Sequence, residues 1–169
     1  VGLNIPCITL LDFDLGRHNA GMGRVKNAVN WLADAGNPPD LSVAIPTNDA
    51  LTPEIVDGWT KWLRSHWVFY STYLDLDMMM VQAFPEAYVP NRAFDPAKDD
   101  PVSIAKEVFG DSGPGNADLN RINAPLTNEE LFTYKNLFKS RSKPASHYKA
   151  LAALDDATIL AKCPEPLKA

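Results

Sequence analysis

Cysteine and histidine are scarce in this sequence of 169 residues, and their scarcity excludes several classes of protein. The two cysteines, Cys7 and Cys163, lie far apart and form no C-x-x-C pair, so no zinc or redox motif is present. We expect both thiols to be buried and reduced, as in a cytosolic protein. The three histidines form no H-E-x-x-H pattern, which argues against a zinc hydrolase.

Long apolar runs and a strong net charge are also absent. No apolar run approaches the about 18 residues needed to span a bilayer, and no secretory signal is visible, so we predict a cytoplasmic protein without a membrane partner. The formal charge of −5, from 16 basic and 21 acidic residues, disfavours a protein that coats nucleic acid. It still allows an enzyme that holds nucleic acid locally, because a carboxylate-rich metal site makes a domain acidic. No GK[ST] sequence is present, which excludes a Walker loop.

The length and composition predict one globular domain over residues 1–169. Hydrophobic residues make up 46% and charged residues 22%, and a chain of this length can bury a core without disulfides or metals. The sequence begins at Val1 and not at Met, so we expect a processed chain or a piece of a longer one.

The order of predicted elements is typical of an α/β protein with a parallel sheet. Residues 5–13 (IPCITLLDF) indicate a strand buried on both faces, and residues 67–73 (WVFYSTY) indicate a second strand. Helices are predicted over 22–35, from Thr52-Pro53 onwards, and over the segment MMMVQAF. This order favours strands in one sheet flanked by helices. Only two strands are convincing, so either weak strands are hidden or part of the sheet is missing.

A loop-rich segment precedes a helical C-terminal part. Residues 91–123 are rich in Pro, Gly, Asn and Asp, with one short helical stretch near 101–109, and are predicted to be a surface insertion. Thr127 and Glu130 form a capping box that begins a helix, and two short helices are predicted over 144–153 and 156–162. The methionine run at 78–80 and the four tryptophans are interpreted as core residues.

Two D-x-D pairs follow the two predicted strands. Asp12 and Asp14 end the first, and Asp75 and Asp77 follow the second. Because side chains alternate on a strand, Asp12 and Asp14 would face the same way, roughly 6–7 Å apart, and the carboxyl ends of parallel strands open into one crevice. Four carboxylates there would suit two divalent cations, as in phosphodiester cleavage. The alternatives are solvated loop carboxylates and, for Asp75 and Asp77, capping of the following helix.

Residues 131–154 contain basic side chains and no acidic one. Lys143 stands just before a proline that can start a helix, a place suited to phosphate, where a lysine can stabilise charge that develops in the transition state. His147 lies one helical turn further on and Arg17 follows the first acidic pair. We interpret both, with Arg141, as candidates for phosphate or DNA contact. A solvated helix face is the alternative for this stretch, whose basic residues are Lys135, Lys139, Arg141, Lys143 and Lys149.

Three blocks of the sequence resemble the C-terminal half of OLD-family ATP-dependent endonucleases, which join an ABC-type ATPase to a Toprim nuclease domain. The blocks cover about half of the chain and read ITLLDFDLGRHNAGMGRVKNAVNWL, FYSTYLDLDMMMVQAFPEAY and FKSRSKPASHYKAL. The resemblance implies a Toprim-like α/β fold, a parallel sheet flanked by helices, and a metal-dependent DNA endonuclease. Its partners would be DNA and an upstream or separate ABC-type ATPase part, and a homodimer is compatible with it.

The same resemblance implies roles for individual residues. Asp12 and Asp14 would match the Toprim D-x-D that binds magnesium or manganese, and Asp75 and Asp77 would complete a two-metal site. Lys143 would match the lysine that these nucleases place near the scissile phosphate. A Toprim domain usually begins with a strand that ends in a catalytic glutamate, which nothing before residue 5 supplies, and no ATPase motif is present. We therefore expect a partial domain, and a catalytically inactive interaction module is one alternative.

A haloacid-dehalogenase-type phosphatase is the other alternative. Asp12 would then be the nucleophile and Asp14 the acid/base, with Ser71 or Thr72 holding the phosphate and Lys143 as the lysine that such enzymes require. That family normally has Thr or Val where Gly16 stands, and its last acidic motif follows an apolar strand, which is not the setting of the remaining acidic pair at 155–156.

Overall fold

The computed structural model describes residues 7–17, 20–40, 44–48, 51–110, 126–140 and 142–168, which form a mixed α/β protein. The strands are β1 (Thr9–Asp12) and β2 (Val68–Ser71). The helices are α1 (Met22–Asp34), α2 (Pro53–Arg64), α3 (Leu76–Ala83), α4 (Pro101–Phe109), α5 (Asn128–Tyr134), a π-helix (Lys135–Lys139), α6 (Lys143–Leu151), α7 (Asp156–Lys162) and a 3₁₀ turn (Glu165–Leu167).

The two strands pair in parallel, which confirms the predicted orientation. Thr9 stands opposite Val68 and Asp12 stands opposite Ser71, so both strands end at the same edge of the sheet. Both strands are shorter than predicted, and the first six residues of the chain lie outside the described part. The acidic segments that follow β1 and β2 therefore begin side by side.

Strand β1 is less covered than we predicted. Ile8 and Leu10 are 56% and 36% exposed, so the expectation of a strand buried on both faces is wrong for its described part. Within the described residues β1 pairs only with β2, which leaves its outer edge without a strand partner. An apolar sequence there does not ensure burial, because burial needs a second layer on each face.

Local signals begin the helices where they were predicted. Pro53 is the first residue of α2, and the Thr52 side chain accepts a hydrogen bond from the backbone N–H of Ile55. Thr127 and Glu130 exchange the two hydrogen bonds of a capping box at the start of α5. These contacts satisfy backbone N–H groups that a helix leaves without partners in its first turn.

Helix α4 belongs to the core, although its segment was predicted to be a surface insertion. Ile104 and Val108 are 3% and 0% exposed, and α4 packs against α5 and the π-helix. The rest of the predicted insertion up to residue 110 is described without regular structure, and residues 111–123 lie outside the described part. The apolar residues of α4 recur at helical spacing, which is the pattern of a helix with one buried face.

Two further predictions about burial are corrected in part. The methionines at 78–80 are buried as predicted, but Trp31 and Trp67 are 64% and 59% exposed. Trp31 lies on the opposite side of α1 from Met22, which is 2% exposed. Cys7 is exposed and Cys163 half-buried, so the predicted burial of both thiols is wrong. In the described ranges, no helix is both long enough and apolar enough to cross a membrane.

Candidate functional site

Asp12 is the last residue of β1 and lies against the end of β2. Its Oδ1 accepts hydrogen bonds from the Ser71 hydroxyl at 2.8 Å and from the backbone N–H of Leu76 at 3.3 Å. No Lys, Arg or His of the described residues forms an ion pair with it. Asp12 therefore brings a negative charge without a positively charged partner to the shared edge of the sheet.

Asp14 lies beyond the strand, where the backbone turns. Its φ of 54° is in the left-handed region, which aspartate tolerates better than most residues, so strand alternation stops before it. Its side chain is 6% exposed and forms ion pairs with Arg17 and, at 2.7 Å, with Arg24 of α1. Burial raises the pKa of Asp14, against the lowering effect of the two arginines, and the nearby charges of Asp12 and Asp75 add to the rise.

Asp75 joins the start of α3 to two distant side chains. It caps the helix, as the alternative interpretation predicted, with its Oδ1 accepting from the Met78 N–H at 3.1 Å. Its Oδ2 accepts from the Tyr134 hydroxyl at 2.5 Å and from Arg17 at 3.3 Å. Burial and the charge of Asp75 raise the pKa of Tyr134, so its hydroxyl stays protonated and donates. Capping and electrostatic pairing thus use different oxygens of one carboxylate.

Asp77 lies in the first turn of α3 and forms a second group with residues of α6. Its Oδ2 pairs with the ammonium of Lys143, and its Oδ1 accepts from His147 Nε2 at 2.9 Å. His147 Nδ1 lies 2.7 Å from the Tyr88 hydroxyl, so both ring nitrogens are engaged. Burial raises the pKa of Tyr88 to about 12. Since the carboxylate only accepts, Nε2 carries a proton, and in the neutral ring Nδ1 accepts from Tyr88.

Lys143 links the group around Asp75 and Arg17 to the group around Asp77 and His147. Its ammonium is desolvated, which lowers its pKa, but Asp77 and Asp75 raise it more, so Lys143 stays charged. Lys143 is the first residue of α6, where we predicted it just ahead of the helix. The structure therefore brings all four predicted aspartates to one end of the sheet, with Asp77 held apart from the rest by its own partners.

The predicted basic residues have different outcomes. Arg17 and His147, predicted to contact phosphate or DNA, are engaged by aspartates in this structure. Arg141 lies outside the described residues. In the described ranges, the predicted phosphate-contact residues are thus paired internally.

Sequence reasoning missed Tyr134, Tyr88 and Arg24 as members of the site. Tyr134 is 0% exposed and lies on a helix whose apolar pattern indicates only core packing. Arg24 is an ordinary polar residue of α1 by pattern. Tyr134 meets Asp75 and Tyr88 meets His147 across 59 positions each, and Arg24 reaches Asp14 from a helix that begins beyond the loop, so no local signal predicts these contacts.

The acidic donors suit a divalent cation in chemical type but are not arranged around one. Carboxylate oxygens are the ligands that Mg²⁺ and Mn²⁺ prefer. The guanidinium of Arg17 bridges Asp14 and Asp75, with Nη1 on Asp14 and Nη2 at 3.3 Å from Oδ2 of Asp75, and so occupies the space between these two carboxylates. Across the part of the chain that is described, no three His, Cys, Asp or Glu side chains are placed to hold a metal ion. A metal would therefore have to displace Arg17.

We expect Asp77→Asn to destabilise the protein by an amount that shrinks in acid. Burial raises the pKa of Asp77, but the hydrogen bonds from His147 and Lys143 outweigh it, so the folded pKa lies below the ordinary aspartate value of 3.8. The ionised carboxylate therefore contributes stability above that value, which is lost as the pH falls through the folded pKa. Urea unfolding should show a deficit of about 1–2 kcal/mol near neutral pH that closes as the pH falls through the lowered pKa of Asp77.

The matched control for this experiment is Asp34→Asn at the exposed end of α1. The Asp34→Asn variant should not show the pH-dependent deficit in unfolding free energy, because Asp34 has no ion-pair partner among the described residues. A deficit of Asp77→Asn that stayed constant between neutral and acid pH would contradict the assigned ion pair.

Comparison with protein-family models, with curated proteins and with solved structures gives no match to this chain.

Proposed function

We propose that the chain is a Toprim-like nuclease domain that hydrolyses phosphodiester bonds of DNA with a divalent cation. The proposal places it in the cytoplasm as part of a larger ATPase–nuclease. One observation carries it: Asp12, Asp14 and Asp75 gather at the carboxyl ends of two parallel strands, and Asp12 has no cationic partner in the described residues. Ligands of α/β proteins bind at this edge of the sheet.

A basic side chain at this edge can contact the phosphate of the substrate. Lys143 carries a charged ammonium that is half exposed, and Asp77 holds it beside Asp75. In this proposal the ammonium faces a phosphate oxygen and stabilises the charge that develops there during hydrolysis. His147 and Tyr88 position Asp77, and through it Lys143, without touching DNA.

A divalent cation, Mg²⁺ or Mn²⁺, would supply a nucleophilic water and neutralise charge on the phosphate. Asp12, Asp14 and Asp75 would hold it, with Asp77 available as a further oxygen donor. Because Arg17 bridges two of these carboxylates, its guanidinium must leave them for a cation to enter. Released in this way, Arg17 becomes free to contact the DNA backbone.

The test is nicking of closed circular plasmid by the purified chain. We expect nicked plasmid with Mn²⁺ or Mg²⁺ and intact plasmid with a chelator. Plasmid that stays intact with either cation, while the chain still binds a short duplex, would overturn the nuclease proposal and favour a catalytically inactive interaction module.

A phosphatase is the second candidate, and the contact between Asp12 and Ser71 favours it. The Ser71 hydroxyl donates a hydrogen bond of 2.8 Å to Asp12 at the end of the neighbouring strand. This pair resembles the phosphate-holding residue and the nucleophile of haloacid-dehalogenase-type enzymes. The pairing of Lys143 with Asp77 disfavours this candidate, because its required lysine would have to serve Asp12. Release of nitrophenol from p-nitrophenyl phosphate, with no effect on plasmid, would replace the nuclease proposal with this one.

A further inference from the structure

Lys139 differs from the other basic side chains at the acidic edge of the sheet. Arg17, Arg24 and Lys143 each pair with an aspartate. Lys139 has neither an ion pair nor a hydrogen bond from its side chain to any described residue, and it is exposed. The sequence offered it only as one member of a basic stretch, with a solvated helix face as the alternative.

The π-helix determines where Lys139 stands. In a π-helix the hydrogen bonds join residues five apart, so Lys139 lies one turn beyond Tyr134. The Tyr134 hydroxyl is bonded to Asp75 and to Arg17, so this side of the helix faces the acidic edge. In an α-helix, a residue five positions on would point well away from that direction. The wider turn therefore brings Lys139 towards the site.

Charges of both signs act on Lys139, but no carboxylate of the described residues pairs with it. Partial burial, together with Arg17 and Lys143, lowers the pKa of Lys139, and the opposing effect of Asp75 and Asp14 is smaller. Those two carboxylates are buried and already bonded to arginines or to Tyr134, so they do not serve Lys139 as partners. Arg17 and Lys143 are in turn paired with aspartates, so Lys139 has an ammonium that an anion from outside can pair with.

We propose that Lys139 binds a backbone phosphate of the DNA, next to the phosphate that Lys143 faces. The identity of the ligand rests on the proposed function, because the geometry itself shows only an exposed ammonium beside the acidic edge with no carboxylate partner among the described residues. Lys139 contributes to DNA affinity, and Lys143 contributes to the rate of hydrolysis.

The experiment measures binding of a fluorescently labelled short duplex by anisotropy, in a chelator, so that binding is separated from cleavage. We expect Lys139→Gln to lower affinity several-fold and to reduce the slope of log K against log salt by about 0.9, the loss of one phosphate contact. Lys139→Arg should keep both the affinity and the slope, because the positive charge remains. Thermal unfolding of each variant checks that this exposed substitution leaves the fold intact.

Lys61→Gln is the matched control, since it makes the same charge change on an exposed face of α2. Unchanged binding by Lys139→Gln, an equal loss in both variants, or no DNA binding by the original protein would each overturn the inference. A loss confined to Lys139→Gln, in a chain that never nicks plasmid, would support the phosphate contact and sink only the nuclease proposal.

Discussion

Replacing Asp12 with asparagine should lower cation-dependent nicking by about 100-fold or more, the scale on which single charge-stabilising groups act in catalysis. Asparagine keeps the Oδ1 atom that accepts from Ser71 and from the backbone of Leu76, so the contacts that tie β1 to β2 persist. Only the negative charge is removed. Asp12 suits this test better than Asp14 or Asp75, because replacing either of those would also remove one of the two carboxylates that Arg17 bridges.

The measurement is the single-turnover rate of nicking with Mn²⁺ and with Mg²⁺. Urea unfolding should place Asp12→Asn within about 0.5 kcal/mol of the original protein, as for substitutions that break no buried contact. Asp34→Asn, which removes the same charge from the exposed end of α1, should nick at the normal rate. A normal rate in Asp12→Asn would remove Asp12 from the site.

Replacing Lys143 with alanine should lower the nicking rate by about 100- to 1,000-fold and weaken DNA binding much less. Its ammonium is half exposed beside Asp75 and Asp77, so it can reach a phosphate while the aspartates keep it charged. Asp77 retains the hydrogen bond from His147 when the lysine is gone, which limits the structural cost. An effect on rate without an equal effect on affinity identifies a group that acts mainly in the transition state.

Single-turnover rates and duplex anisotropy, measured on the same preparation, separate the two effects. Lys149→Ala is the matched control, because it truncates an exposed lysine on the same helix. Losses of rate and affinity that were equal in Lys143→Ala would make it a binding residue like Lys139. An unchanged rate would count against any role in hydrolysis.

The parts of the fold that depend on local chemistry were predictable from the sequence. Thr52, Asp75 and Thr127 cap helices through atoms within three residues of themselves, so a short window of sequence contains both partners. The parallel pairing of β1 and β2 was predicted because helices lie between the two strands in the sequence. Helix α4 was wrongly predicted to lie in a surface insertion, because the residues on either side of it are rich in Pro, Gly, Asn and Asp. The apolar residues on one face of the helix were given less weight.

The sequence predicted that the two acidic segments follow strands ending at one edge of the sheet, but it did not predict the turn at Asp14 or the partners of the four aspartates. The contact between Arg17 and Tyr134 joins residues 117 positions apart, and the Tyr134 hydroxyl meets Asp75 across 59 positions. Such pairs depend on how helices pack over the sheet, which periodicity does not report. The same limit explains why Arg17 and His147, assigned to phosphate by their spacing, are engaged by carboxylates.

The exposed apolar side chains of β1 have a consequence for how the protein behaves at high concentration. Within the described residues, one edge of this strand has no strand partner, and Leu10 in it and Ile8 just before it are exposed, which favours strand addition by another molecule. The net charge of −5 opposes such self-association by repulsion, and added electrolyte weakens that repulsion. Light scattering should therefore rise with both protein concentration and ionic strength, so dilute, low-salt stocks keep the protein best dispersed.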